Sequence, residues 1–163
     1  MINGTPVSKF EAWRRWAYRI GFSLALALWM ALIFYLSELP GDQVSRVGPY
    51  DSAAVVRLGG LRSILAHFFL FGVLASFIQA TIWSWTRFTN HSFKLAGAAI
   101  ILAVLYGIFD EFHQSFVVGR QMSAADLLIN SLGAVVAVAA LRQIVKAAYE
   151  SPAWHLRLAA FKP

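Results

Sequence analysis

The sequence predicts an all-α integral membrane protein, a bundle of four transmembrane helices with both termini in the cytoplasm. Hydrophobic residues make up 59% of its 163 residues and charged residues only 13%, whereas soluble domains have about 45–50% apolar and about 25% charged residues. The apolar residues are clustered in four long runs, and the basic residues flank those runs. This distribution leaves too few charges to cover a soluble domain.

Each apolar run is long enough to cross all or most of a bilayer as a helix. The runs extend from about Ile20 to Leu36, Ile64 to Trp83, Leu95 to Phe109 and Leu127 to Leu141. At 1.5 Å per residue, roughly 15 to 20 residues reach roughly 22 to 30 Å. Backbone in lipid must satisfy its own hydrogen bonds, so the runs are predicted to be helical. The first run is long for a signal peptide and lacks a small-residue cleavage site after it, so we interpret it as a retained helix.

Basic residues predict which helix ends face the cytoplasm. If the N-terminus, the loop near residues 84–94 and the C-terminus are inside, these regions hold ten of the 14 Lys and Arg residues, namely Lys9, Arg14, Arg15, Arg19, Arg87, Lys94, Arg142, Lys146, Arg157 and Lys162. The positive-inside rule therefore predicts both termini in the cytoplasm. Residues 20–141 form the predicted membrane domain. Residues 1–19 are a basic, aromatic N-terminal segment, and residues 142–163 are a basic tail, either along the inner leaflet or disordered.

Charge and cysteine content exclude several classes of function. The net charge is +6, but the basic residues form no continuous stripe, so no nucleic-acid partner is predicted. Because the chain has no cysteine, disulfides, thiolate catalysis and Cys-based zinc sites are excluded.

Acidic residues gather on the predicted outer side, at Glu38, Asp42, Asp51, Asp110, Glu111 and Asp126. Two adjacent carboxylates at the end of a membrane helix are costly unless water or a cation meets them. Glu111 points about 100° away from Asp110 on a helix, so the pair need not act as one unit. In the turn that follows, Gly119 permits a positive φ, and Arg120 offers a guanidinium fork for a carboxylate or phosphate. Ser123 and Asp126 have the spacing of a helix N-cap.

One candidate functional cluster follows from residues predicted to lie at similar depth, namely His67, Asp110, Glu111, Gln114, Arg120, Asp126 and Asn130. His67 is predicted to begin the second helix. Structural roles compete with function at each position: Asp126 as a helix cap, Arg120 as a partner of Asp110 or Glu111, Asn130 as an interhelical bridge, and His67 as an interfacial histidine. No metal or cofactor is predicted, because a site of His67, His113 and a carboxylate matches no HExxH-type spacing. No residue is assigned as catalytic, because the sequence supplies no unmistakable nucleophile.

The same region carries a resemblance to a known family. The stretch DEFHQSFVVGRQMSAADLLINSLGA, residues 110–134, resembles the D-E-x-x-Q…G-R…S-x-x-D-x-x-x-N-x-x-G pattern of the VanZ-like family of bacterial membrane proteins. RSILAHFFLFGVLA and IFYLSELPG are similar to two further segments of that family, so the resemblance covers roughly residues 20–141. Two departures are Arg62–Ser63 where the family often has Lys, and Val118 in place of a proline.

The resemblance implies a multi-pass protein of the bacterial cytoplasmic (inner) membrane with a role in the cell envelope. The namesake of the family is associated with lowered susceptibility to the glycopeptide teicoplanin, without an established chemical activity. The first functional hypothesis is a site that binds lipid headgroups or a lipid-linked cell-wall precursor, with Arg120 holding an anionic group. The second is a hydrolase or transferase that acts on a lipid-linked substrate with Asp110 or Glu111 as general base. A small transporter is the third, and it is disfavoured because no helix centre carries an acid.

Overall fold

The computed structural model describes residues 9–40, 53–86 and 93–150, and within them it is entirely helical. The four helices are α1 (Lys9–Glu38), α2 (Ala53–Trp85), α3 (Phe93–Gln114) and α4 (Ala124–Glu150). Each is long and apolar enough to cross a membrane. The predicted fold class, an all-α bundle of four membrane-spanning helices, is therefore confirmed.

The helices extend beyond the apolar runs that predicted them. α1 already begins in the predicted N-terminal segment, and α4 continues into the predicted tail as far as Glu150. The prediction that His67 begins the second helix is wrong, because α2 begins at Ala53 and its membrane-spanning part at Leu61. Hydropathy marks only the part of a helix that lies in lipid, whereas Ala, Leu and Arg residues favour helix on either side of it. Residues 151–163 lie outside the described part of the chain.

α2 contacts all three other helices and has its most extensive contact with α4. At their crossing, a Cβ atom added to Gly133 would lie 2.3 Å from the backbone oxygen of Phe68. A Cβ atom on Gly72 would lie 3.3 Å from the backbone oxygen of Gly133 and 3.4 Å from the Cβ atom of Ala137. Membrane helices approach this closely where small residues face one another. Gly133 and Ala137 of α4 therefore pack against α2, and the crossing fixes the positions of residues just beyond it.

Two aromatic donors attach α1 to its neighbours. The Nε1 atom of Trp29 donates a hydrogen bond to the Leu70 backbone oxygen at 2.9 Å, and the hydroxyl of Tyr106 donates one to the Met30 backbone oxygen at 2.8 Å. A polar donor within a membrane needs such a partner because lipid offers none. These bonds hold α1 against α2 and α3 and align its C-terminal turn with the end of α3.

The two ends of the bundle differ in chemistry. At one end Arg19 lies between the rings of Trp16 and Trp85, with 5.2 and 5.1 Å from its guanidinium carbon to the ring centroids. We call the other end the acidic end: α1 ends there at Glu38, α3 ends at Gln114, and α4 begins at Ala124. The candidate functional residues lie at the acidic end.

Candidate functional site

Asp110, in the last turn of α3, is held by side chains from two helices. Its Oδ1 atom accepts a short hydrogen bond from the Ser37 hydroxyl of α1, and its Oδ2 atom accepts one from Gln114 Nε2 at 2.8 Å. Asp110 is only 3% exposed. With both carboxylate oxygens bonded and the side chain enclosed, Asp110 joins α1 to α3 and is not open to a ligand.

Arg120 caps the C-terminal end of α1. Its Nη2 and Nε atoms donate hydrogen bonds to the backbone oxygens of Leu36 and Leu39 at 3.2 and 3.3 Å. Its Nη1 atom donates to Gln114 Oε1 at 2.8 Å. The last carbonyls of a helix lack intrahelical partners and carry partial negative charge, so a guanidinium is a favourable cap.

The sequence-based pairing of Arg120 with Asp110 or Glu111 is wrong in its detail. Among the described residues Arg120 forms an ion pair with neither carboxylate, and the side chain of Gln114 is hydrogen-bonded to both Arg120 and Asp110. The sequence did not reveal that α1 would supply two carbonyl acceptors. Arg120 therefore positions the helix ends.

The turn between α3 and α4 has the geometry that its sequence predicted. Gly119 has a φ of 75°, in the left-handed region that glycine adopts without steric cost. The Ser123 hydroxyl accepts a hydrogen bond from the backbone N–H of Asp126 at 3.2 Å, which makes Ser123 the N-cap of α4. Asp126 is thus the capped residue in the first turn, and its carboxylate remains available for other contacts.

Glu111 faces α4, whereas the neighbouring Asp110 faces α1. Glu111 is 0% exposed, and its Oε2 atom accepts a hydrogen bond from the backbone N–H of Ser123 at 2.8 Å. Its Oε1 atom is also buried and accepts no hydrogen bond from any residue that the structure describes. Leaving a buried acceptor without a donor costs about 1–3 kcal/mol, and more for a charged group. Glu111 Oε1 is therefore a buried acceptor without a donor at the acidic end, where Asn130 Nδ2 is a buried donor without an acceptor among the described residues.

His67 is oriented by Asn130 of α4. Its Nδ1 atom lies 3.1 Å from Asn130 Oδ1. An amide oxygen can only accept a hydrogen bond, so Nδ1 carries the hydrogen and, in the neutral ring, Nε2 carries the lone pair. Nε2 lies 3.9 Å from Asp126 Oδ2, beyond hydrogen-bonding distance.

His67, Glu111 and Asp126 form what we call the carboxylate–histidine cluster. Each presents one nitrogen or oxygen atom, and the three atoms lie within 4.8 Å of one another. The side chains of His67 and Asp126 are 13% and 27% exposed, whereas Glu111 is enclosed. The cluster is therefore a polar site that is buried on the side of Glu111 and open on the side of His67 and Asp126.

The seven predicted residues thus separate into two adjoining groups. Asp110, Gln114 and Arg120 form a satisfied network with α1, while Asn130 supports the carboxylate–histidine cluster. His113 belongs to neither group: its Nε2 atom lies 2.9 Å from Glu38 Oε1, without the alignment of a hydrogen bond, and its ring stacks on Phe34.

The contribution of α1 to the Asp110 network was not predicted from the sequence. Ser37 and Glu38 follow an apolar run directly, which was the available signal for polar residues at that helix end. The predicted outer acids Asp42 and Asp51 lie outside the described residues.

The fold and the site define a multi-pass α-helical membrane protein with a partly enclosed polar cluster at one end of its bundle. The chain matches the model of the VanZ/LLP1 family over residues 22–146. It belongs to that family. The match includes all members of the carboxylate–histidine cluster and of the Asp110 network. No curated protein and no solved structure matches the chain significantly.

Proposed function

We propose that this protein is a cell-envelope factor of the bacterial cytoplasmic membrane that binds the polar head of a membrane lipid or of a lipid-linked cell-wall intermediate. The binding site is the carboxylate–histidine cluster, on the extracytoplasmic side. The positive-inside rule supports this orientation, because six basic residues of the described helices lie toward the opposite end of the bundle, namely Arg14, Arg15, Arg19, Lys94, Arg142 and Lys146. The family association with teicoplanin fits the same proposal, since a protein that holds a cell-wall intermediate would limit access of a glycopeptide to it.

The unpartnered Oε1 atom of Glu111 is the observation that carries the proposal. A buried carboxylate oxygen at the end of a membrane helix needs a hydrogen-bond donor or a cation. Polar heads carry hydroxyl, ammonium or cation-bound phosphate groups at the depth of helix ends. Asp126 is the most exposed member of the cluster and lies on the open side through which a head group would enter.

The residue that recognises the ligand differs from the one that sequence reasoning favoured. Arg120 was expected to hold an anionic group, but its guanidinium is bonded to the end of α1 and to Gln114. The proposal therefore assigns recognition to Glu111, Asp126 and His67, and assigns Arg120 a positioning role. Because the cluster offers acceptor atoms, it selects a ligand that brings donors or a positive charge.

We expect the parent protein, purified in a mild detergent, to retain a lipid that the Glu111→Gln variant loses. Glutamine keeps the size of the side chain but removes its charge. A hydrogen bond to a charged group contributes roughly 1.5–3 kcal/mol, so retention should fall about tenfold or more. Mass spectrometry of the co-purified lipids measures the retention and identifies the ligand.

His113→Gln is the matched control, since His113 lies at the same end of the bundle but contacts Glu38 instead of the cluster. It should retain the lipid at the level of the parent. Thermal unfolding of each variant confirms that losses are not due to misfolding. Equal lipid content in the parent and in a folded Glu111→Gln variant would contradict the proposal.

A membrane-embedded hydrolase or transferase is the second candidate, and Glu111 again supports it. Both oxygens of Asp110 are bonded, which leaves Glu111 Oε1 as the free carboxylate oxygen of the adjacent pair. A general base needs such an oxygen within reach of the proton it removes. Turnover of a lipid-linked phosphate by the parent, abolished in Glu111→Gln, would favour this function over binding alone.

A further inference from the structure

We propose that the carboxylate–histidine cluster is a binding site for one divalent transition-metal cation, with His67 Nε2 and one carboxylate oxygen each from Glu111 and Asp126 as ligands. The inference rests on the proposed function in that the site is the same, and it names the group through which a polar head would be held. A cation with three protein ligands keeps at least one position for an oxygen of that head, either a phosphate or a hydroxyl.

The three ligand atoms, one imidazole nitrogen and two carboxylate oxygens, suit a transition-metal ion. Zn²⁺ in proteins binds His nitrogen and Asp or Glu oxygen, and sites that act on a ligand have three protein ligands with the remaining position open. Imidazole favours zinc, iron and nickel over magnesium or calcium, which prefer oxygen ligands alone. One imidazole with two carboxylates therefore points to Zn²⁺ or a similar ion such as Mn²⁺ or Co²⁺.

The distances favour an ion over a hydrogen bond within the cluster. His67 Nε2 and Asp126 Oδ2 are 3.9 Å apart, too far for a hydrogen bond. Two metal–ligand bonds of about 2.0–2.2 Å place the ligand atoms about 3–4.4 Å apart, so a single ion bridges this gap. The three candidate atoms lie within 4.8 Å of one another. Shifts of about 0.7 Å in each side chain would bring all three to bonding distance of one ion.

The residues around the cluster are arranged as the outer shell of a metal site. A metal-bound histidine donates its second ring N–H to an oxygen, which fixes the tautomer and the ring orientation. Asn130 Oδ1 is that acceptor for His67 Nδ1, and Asn130 is 1% exposed. The backbone N–H of Ser123 fixes Glu111 through Oε2. Both ligands are thus held before an ion arrives.

The two carboxylates of the cluster also require a positive charge nearby. Glu111 and Asp126 bring two carboxylates together at a membrane helix end, and Glu111 Oε1 is fully buried with no donor among the described residues. Buried charges require a partner of opposite sign. One dication neutralises both carboxylates and provides the missing partner of Glu111. A proton shared between the carboxylates is the competing solution, and metal binding distinguishes the two.

The test uses the full-length protein with an affinity tag that contains no histidine, stripped with a chelator in detergent and dialysed against Zn²⁺. We expect about one zinc per chain by elemental analysis, and a visible Co²⁺ spectrum that zinc abolishes. Glu111→Gln, Asp126→Asn and His67→Gln should each lower zinc affinity by at least about 100-fold. Asn130→Leu, which removes only the support of His67, should lower it roughly 10- to 100-fold. His113→Gln should bind zinc as the parent does.

Absence of zinc from the folded parent, or unchanged affinity in Glu111→Gln, would overturn the inference. So would an equal loss in His113→Gln, because that result would indicate adventitious histidine binding. Lipid retention is measured separately on chelator-treated and zinc-loaded protein. Zinc bound without retained lipid supports the metal site and contradicts the proposed function, whereas lipid that depends on Glu111 without any zinc contradicts only the metal site.

Discussion

Gly133→Ala is expected to destabilise the bundle by about 3 kcal/mol, the largest effect of an alanine substitution among the described helical glycines. The added Cβ atom would lie 2.3 Å from the backbone oxygen of Phe68. A backbone atom cannot move aside as a side chain can, so α2 and α4 must separate at their main contact. Overpacking of this kind costs about 1–3 kcal/mol or more. Unfolding of the purified protein, followed by circular dichroism, measures the loss.

Gly97→Ala is the control for the same substitution, since nothing lies within 4 Å of a Cβ atom at Gly97. We expect its stability to equal that of the parent or to exceed it slightly, because alanine favours helix over glycine. Separation of α2 from α4 would also move His67, the neighbour of Phe68, away from Asn130, so Gly133→Ala should lose lipid and zinc together. Parent-like stability of Gly133→Ala would show that the helices do not cross at this distance.

Arg120→Ala is expected to cost about 3 kcal/mol and to detach the end of α1 from the end of α3. Hydrogen bonds to a charged group contribute about 1.5–3 kcal/mol each and do not add fully. The substitution removes three such bonds, to Leu36, Leu39 and Gln114. Arg120→Lys should recover less than half of the loss, because an ammonium has no planar fork to reach the three acceptors at once. Chemical unfolding of both variants checks the expectation.

Arg62→Ala serves as the control for removal of a positive charge, since Arg62 is exposed. Its stability should change by less than about 0.5 kcal/mol. If Arg120→Lys instead unfolds like the parent while its lipid retention falls, then Arg120 binds the ligand directly and the positioning role is wrong.

The sequence predicted the number and type of helices because apolar runs of bilayer length have one structural solution in lipid. It did not predict where the helices end. Ala53 begins α2 well before the apolar run, and α4 continues to Glu150, since hydropathy reports the lipid environment and not helix formation.

The sequence also predicted which residues share a depth, but not which residues face one another. The rotation of 100° per residue correctly separated Asp110 from Glu111. It did not indicate that Asp110 would meet Ser37, or that Arg120 would cap α1, because neighbours around the bundle axis depend on how the helices pack. The residues of the predicted cluster therefore lie at one end of the bundle, whereas most of their contacts could not be predicted from the sequence.

Binding of an extracytoplasmic lipid head group requires the acidic end of the bundle to face the exterior. The chain has no cysteine, so a single cysteine introduced at a chosen position reports that position alone. Gln121 lies in the exposed turn beside the cluster, and Thr86 lies exposed at the opposite end of α2, so each is replaced by cysteine in turn. In intact cells a membrane-impermeant maleimide should label Gln121→Cys at once and Thr86→Cys only after permeabilisation. Labelling of Thr86→Cys but not Gln121→Cys in intact cells would contradict the account.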